Sequence, residues 1–221
     1  MRMKTLPILG FGLLLLLSAC APSRLVKPLA KQQKAVNASL GGPLVHFSGL
    51  VIPTPFTTVS GAYGLTDKTT VFAGLHPTAM LFGVFQMDAG FVQQLLAQKA
   101  WRPGLTMTPA VNFATNGKDT KLWPNVDVNA FWNYKQKPDF FYAGMSTWFE
   151  TASTKAFGET QPQHVFPNIQ LGHSWVHPKA DYQLELKYLG PGLSNRDIVV
   201  DYVGVDRKGA IGVYFSFTKK F

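Results

Sequence analysis

Cysteine occurs once in the 221 residues, at Cys20, so the chain can form no internal disulfide. Charge is also scarce. Asp, Glu, Lys and Arg make up 15% of the residues, against the roughly 25% usual for soluble domains. Beyond residue 20 no apolar run approaches the roughly 20 residues of a membrane-spanning helix, and the run Leu6 to Leu17 is itself too short. Heptads and helical periods are missing as well, which excludes a coiled coil or a helical bundle. No Gly-x-Ser-x-Gly elbow is present. Gly41-Gly42-Pro43 is followed by neither Lys-Ser nor Lys-Thr, so it reads as a turn and not a phosphate loop.

What the chain has in abundance is two-residue alternation between turn signals, the pattern of strands and hairpins. From Asn125 to Tyr134, one face carries Val126, Val128, Ala130, Trp132 and Tyr134, the other Asn125, Asp127, Asn129, Phe131 and Asn133. Tyr182, Leu184, Leu186 and Tyr188 likewise oppose Gln183, Glu185 and Lys187. Near the end, Ile211, Val213, Phe215 and Phe217 oppose Gly212, Tyr214, Ser216 and Thr218. Strands are also predicted from about Lys34, over Phe56–Leu65, Thr69–His76, Leu81–Leu96, Gly104–Thr115, Phe140–Glu150 and Val165–Val176, and over a short Asp197–Gly204 segment. Most connections are brief and carry turn residues, such as Asn116-Gly117-Lys118-Asp119 and His177-Pro178-Lys179. Thr151 to His164 is a longer stretch without strand pattern.

The amino terminus has a different character. Arg2 and Lys4 precede the apolar run, and Leu17-Ser18-Ala19-Cys20 follows it, the layout of a secretory signal. This ending resembles the lipobox of bacterial lipoproteins. The resemblance implies cleavage before Cys20 and acylation of that residue, a stable membrane anchor. The expected organisation is a signal over 1–19, a lipidated linker over 20–33 and one domain over 34–221. Loss of Arg2 and Lys4 lowers the formal charge from +9 to +7. Arg24, Lys27, Lys31 and Lys34 then follow the anchor as a basic tether or solvated linker. Export argues against a nucleic-acid partner.

Ten to twelve strands in succession protect their edges most completely by closing, so the expected fold is all-β: an antiparallel up-and-down barrel. Alternation alone does not say which face points inward. Here the polar rows are short Asn, Gly, Ser and Thr, and the apolar rows hold large aromatics, as in a lipid-facing barrel. Val213, Phe215, Phe217, Lys219 and Phe221 at alternate positions resemble the closing strand of bacterial outer-membrane barrels, Lys219 departing from the pattern. In this orientation Asn125, Asp127, Asn129, Glu185 and Lys187 form a polar network in the lumen, whether a plug or a narrow channel. One feature fits badly: the pattern gives about eleven strands, although such barrels are usually even-numbered. Counting back from the carboxyl terminus then puts the long Thr151–His164 connection on the side where turns are short.

Catalytic and metal candidates are weak. His173 and His177 are four residues apart, roughly 13 Å along a strand, too far to share an ion at about 2.0–2.1 Å. Ser146, His173, Ser174 and Glu150 can be assembled on paper into an acyl-transfer set, with no motif to support it. The expectation is therefore an outer-membrane lipoprotein with no catalytic residues, cofactor or metal. Its partners would be membrane lipid, through acylated Cys20 and the barrel exterior, and the barrel-assembly and lipoprotein-export machineries. Two other readings stay open. One is a tethered periplasmic barrel binding a hydrophobic small ligand among Trp132, Phe149 and Phe215; the other is an envelope hydrolase or acyltransferase.

Overall fold

The computed structural model describes residues 24–134, 137–154, 160–196 and 200–221. The signal segment and Cys20, with its expected lipidation, lie outside the described residues. Among the described residues there are eleven strands: β1 (Lys34–Phe47), β2 (Leu50–Pro53), β3 (Phe56–Thr66), β4 (Thr69–Leu75), β5 (Phe85–Leu96), β6 (Gly104–Thr115), β7 (Thr120–Asn133), β8 (Phe140–Phe149), β9 (Val165–Val176), β10 (Ala180–Ser194) and β11 (Lys208–Lys220). A short helix, α1 (Pro77–Leu81), sits between β4 and β5. Each barrel strand pairs antiparallel with its neighbour, and β11 returns to pair with β1 from Ala35↔Lys220 to Pro43↔Gly212. The result is a closed ten-strand barrel with one additional strand.

The strand outside the barrel is β2, which is not among the eleven expected from the sequence. The first half of β1 pairs with β3 and β11, whereas Leu44–Phe47 leaves the barrel to form a hairpin with β2. The segment expected as a strand over Asp197–Gly204 is not one where it is described: Tyr202 makes a single isolated bridge to Val45, and residues 197–199 lie outside the described residues. With an even number of barrel strands, the end of β8 and the start of β9, which the long connection joins, fall at the same end as the β1–β2 hairpin and α1. The opposite end carries both barrel termini and the β3–β4, β5–β6, β7–β8 and β9–β10 turns. Miscounting one strand had moved the long connection to the wrong end.

The strand expected from Leu81 begins only at Phe85. Pro77 occupies the first turn of α1, where its fixed φ suits a helix and its missing N–H costs nothing. Thr78 Oγ1 accepts from the Thr57 backbone N–H at 2.9 Å and tethers this turn to β3.

The alternation settles the direction of the faces. Leu184, Leu186 and Phe215 point outward, 42%, 43% and 46% exposed, while Asn129, Glu185 and Lys187 line the interior at 1%, 1% and 4%. Trp132 stacks on Phe141 along the outside, with centroids 4.9 Å apart, and Phe149 is also exposed. Trp132, Phe149 and Phe215 therefore do not line a central cavity, and the expectation of an apolar ligand chamber among them is corrected. Their positions follow from parity: each shares the outward row of its strand with Val128, Met145 or Val213.

β1 can leave the barrel because of Gly41. Its φ of +137° lies where L side chains rarely go, and a Cβ there would stand 2.2 Å from the Val213 carbonyl oxygen of β11. Gly41→Ala is expected to lower stability by about 1–3 kcal/mol, read from the chemical-denaturation midpoint of the refolded barrel. An unchanged midpoint would show that the seam tolerates a side chain.

Candidate functional site: the barrel lumen and its strap

Residues 24–33, a linker by composition, form a strap inside the barrel. Three apolar side chains explain why. Leu25 and Leu29 pack against Phe72, Val92, Ala110 and Ala35 on one side of the lumen. Val26 packs against Phe131, Phe140 and Tyr142 on the other. The inward rows carry apolar side chains where the strap lies, and this accounts for Phe131 in the Asn-rich row of β7. Backbone bonds fix the entry: Gln32 N–H donates to the Gly64 carbonyl at 2.7 Å, Gly64 N–H to the Gln33 carbonyl at 2.9 Å, and Leu29 N–H to Thr70 Oγ1 at 2.8 Å.

Charge locks the strap more specifically. Arg24, 7% exposed, forms an ion pair with Asp88 of β5. His76, at the start of α1, lies 3.0 Å from the same carboxylate oxygen. A carboxylate only accepts, so the imidazole Nε2–H donates. Burial holds the His76 imidazole below the usual histidine range, the bond to Asp88 works against that, and the neighbouring guanidinium adds to the lowering. Lys27 Nζ donates to Asn133 Oδ1 at 2.8 Å and lies 5.2 and 4.8 Å from the ring centroids of Phe131 and Phe140. Arg24 and Lys27 are thus lumen cations, not a tether over lipid. A cation taken from water needs such partners, which the wall supplies.

The wall network reaches across strands because of inward glycines. Tyr142 on β8 donates its O–H to Glu185 Oε2 on β10 at 2.7 Å, passing over Gly172 of β9. A Cβ on Gly172 would stand 2.4 Å from that hydroxyl. Gln170 Nε2 of β9 similarly donates to Asn129 Oδ1 of β7 at 2.9 Å over Gly144 of β8. Asn112 donates to Asn125 at 2.8 Å, and Lys187 lies 3.5 Å from Glu185. Among the sequence-nominated lumen residues, Asn129, Glu185 and Lys187 are held within this network. Asn125 and Asp127 join Arg24 and Lys187 in lining a cavity of about 60 Å³, space on the order of four or five waters. The buried atoms Arg24 Nη1, Asp88 Oδ1, Thr108 Oγ1 and Trp148 Nε1 belong to residues that line it and have no hydrogen-bond partner among the described residues. A second cavity, about 160 Å³, runs beside 24–30.

The residues nominated for acyl transfer do not meet. Ser146 faces the lumen and accepts from Asn168 Nδ2 at 3.2 Å, whereas His173 faces outward, its ring centroid 4.5 Å from that of Trp175. Glu150 is paired with Lys121, and Ser174 is buried on the inward face. His173 and His177 belong to no metal-binding group among the described residues. Sequence reasoning missed Arg24, Asp88, His76 and the glycines. The strap's apolar spacing, Leu25, Val26 and Leu29, was the available signal.

Removing one partner of a buried ion pair strands the other charge, at about 3–5 kcal/mol. Asp88→Ala is accordingly expected to destabilise the barrel by that amount in urea denaturation, and the Arg24→Met/Asp88→Leu pair to recover most of the loss. A neutral Asp88→Ala would show that the strap is not held by this contact.

No family model and no curated protein matches the chain. Solved structures do. The COG4313 outer membrane channel from Pseudomonas putida F1 is 8% identical at a TM-score of 0.51, covering 91% of this chain and 99% of that one. The translocator domain of the autotransporter NalP from Neisseria meningitidis gives 8%, 0.48, 89% and 91%. The NanC porin gives 10%, 0.45, 85% and 100%. At these identities the likeness is one of fold alone, a closed antiparallel barrel.

Proposed function

We propose that the protein is an outer-membrane lipoprotein whose barrel is itself embedded, plugged by its own strap, and non-catalytic, with a structural or lipid-interacting role in the cell envelope. One observation carries this reading: a continuous apolar exterior surrounds a hydrogen-bonded polar interior, the reverse of a water-soluble barrel. Nine of the ten barrel strands have 10–15 residues, enough for the roughly 9–11 needed to cross a bilayer at a tilt. The barrel's likeness to an outer-membrane channel supports the same setting. Acylation of Cys20 rests on the sequence motif and adds a second attachment. The packed strap and ion pairs support a closed lumen over an open pore, as does the modest strand number.

Cys20→Ala is expected to remain with outer membranes through high-salt and alkaline washes, since the barrel holds it there. Release into the soluble fraction would overturn embedding. In planar bilayers the full chain is expected to be electrically silent, and a variant lacking 21–33 to show discrete conductance steps. Equal conductance from both would remove the strap's role as a plug.

A further inference from the structure

The two rims of the barrel differ in charge. At the end carrying the termini, every turn presents an exposed cation: Lys68 after β3, Lys99 and Arg102 after β5, Lys137 after β7 and Lys179 after β9. Lys31, Lys34 and Lys219 complete the circle beside the seam, all exposed. Among the described residues three acids lie at this end, and they leave the cations in surplus. Asp67 accepts from the Lys31 backbone N–H at 2.9 Å, Asp139 from Val176 N–H at 2.8 Å, and Asp181 pairs with Lys220 at 2.8 Å. None of the eight exposed cations forms an ion pair among the described residues. At the opposite rim, exposed Lys118, Arg196, Arg207 and Lys208 are offset by exposed Asp119, Asp201 and Asp206.

The cationic rim has a second, independent companion. Just inside it on the barrel exterior lie Trp132, Phe141, Trp175, Tyr182 and Phe217, with Trp101 beyond them, 79% exposed. Trp132 Nε1–H donates to the Trp101 carbonyl at 3.2 Å, and the Arg102 guanidinium lies 5.9 Å from the Trp101 ring centroid. Aromatic rings of this kind sit at the headgroup level of a bilayer, which sets the cations at phosphate depth.

We propose that this rim is a binding ring for anionic phospholipid headgroups in the leaflet at the terminus-bearing end. The inference rests on the embedded-barrel reading and adds the chemistry of the lipid that the barrel prefers. Cations at every turn, spread around the whole circumference, match an annulus of lipid. A protein partner or a cell-wall polymer would be met by a patch on one side. Each basic residue near an anionic surface contributes about 1 kcal/mol. The same asymmetry biases insertion, because the loop end, with four exposed cations against three exposed acids among the described residues, gains less from anionic lipid.

The test is spin-labelled lipid association with the full chain reconstituted in phosphatidylcholine containing either labelled phosphatidylglycerol or labelled phosphatidylcholine. Phosphatidylglycerol is expected to be favoured about fivefold, the factor corresponding to about 1 kcal/mol per contact, and less so at high salt. Replacing all eight ring cations, Lys31, Lys34, Lys68, Lys99, Arg102, Lys137, Lys179 and Lys219, by Ser is expected to abolish the preference and replacing the five turn cations alone to cut it by more than half, while Lys118→Ser/Arg207→Ser/Lys208→Ser keeps it. Folding of each variant is checked by its heat-dependent electrophoretic shift. No preference in the native chain, or a preference unmoved by the fivefold variant, overturns the proposal. So does a variant that keeps the lipid preference yet loses binding to purified peptidoglycan, since the ring would then serve that polymer. Alkaline extraction separates the two readings: protein that stays in the membrane without lipid preference refutes the ring alone, and extracted protein refutes embedding too.

Discussion

Pairing of β1 with β11 is the contact on which everything else depends. Once Ala35–Pro43 lies against Gly212–Lys220, no strand of the barrel proper is left with an open edge, and inter-strand hydrogen bonds satisfy the backbone around the whole circumference. Only then can the exterior row be apolar without exposing peptide groups to hydrocarbon. Closure also creates an interior that must be filled. Ten strands enclose more space than their short polar side chains occupy, and the strap fills part of that space, with the ion pair Arg24–Asp88 setting its position.

The strap and the inward glycines are two solutions to one packing problem. Where the wall is narrow in side-chain terms, as at Gly172 and Gly144, a long polar group from the next strand crosses the gap and bonds two strands away. Where the wall carries Phe72, Val92 and Phe131, Leu25, Leu29 and Val26 cover them. Buried charges are tolerable where they have a fixed counterpart: Asp88 holds both Arg24 and His76, and Glu185 receives Tyr142 beside Lys187.

Much of this was legible in the chain. Period-two patterning placed β6, β9 and the outward rows of β7, β10 and β11, because strand geometry leaves no freedom once one face is apolar. The direction of those faces was readable from side-chain size and charge. The strap was not, since its polar composition resembles a tether and only the finished lumen shows where Leu25 and Leu29 go. Helix α1 was hidden by apolar residues running on into β5, and the β1–β2 hairpin by a bend at Gly41 that depends on the approach of Val213. Asp88 and His76 gave no local signal, because their partner, Arg24, is distant in sequence. The cationic rim was equally invisible as a ring: its members are scattered through four turns that only closure brings onto one circle.

The most direct measurement of the central claim is nitroxide scanning along β10 in lipid vesicles, one label per variant at Tyr182, Gln183, Leu184, Glu185, Leu186 and Lys187 on a Cys20→Ala background. Collision with oxygen, which concentrates in hydrocarbon, is predicted to peak at Tyr182, Leu184 and Leu186 and to fall at the three positions between. High accessibility of Tyr182, Leu184 and Leu186 to a water-soluble nickel chelate instead would contradict the account.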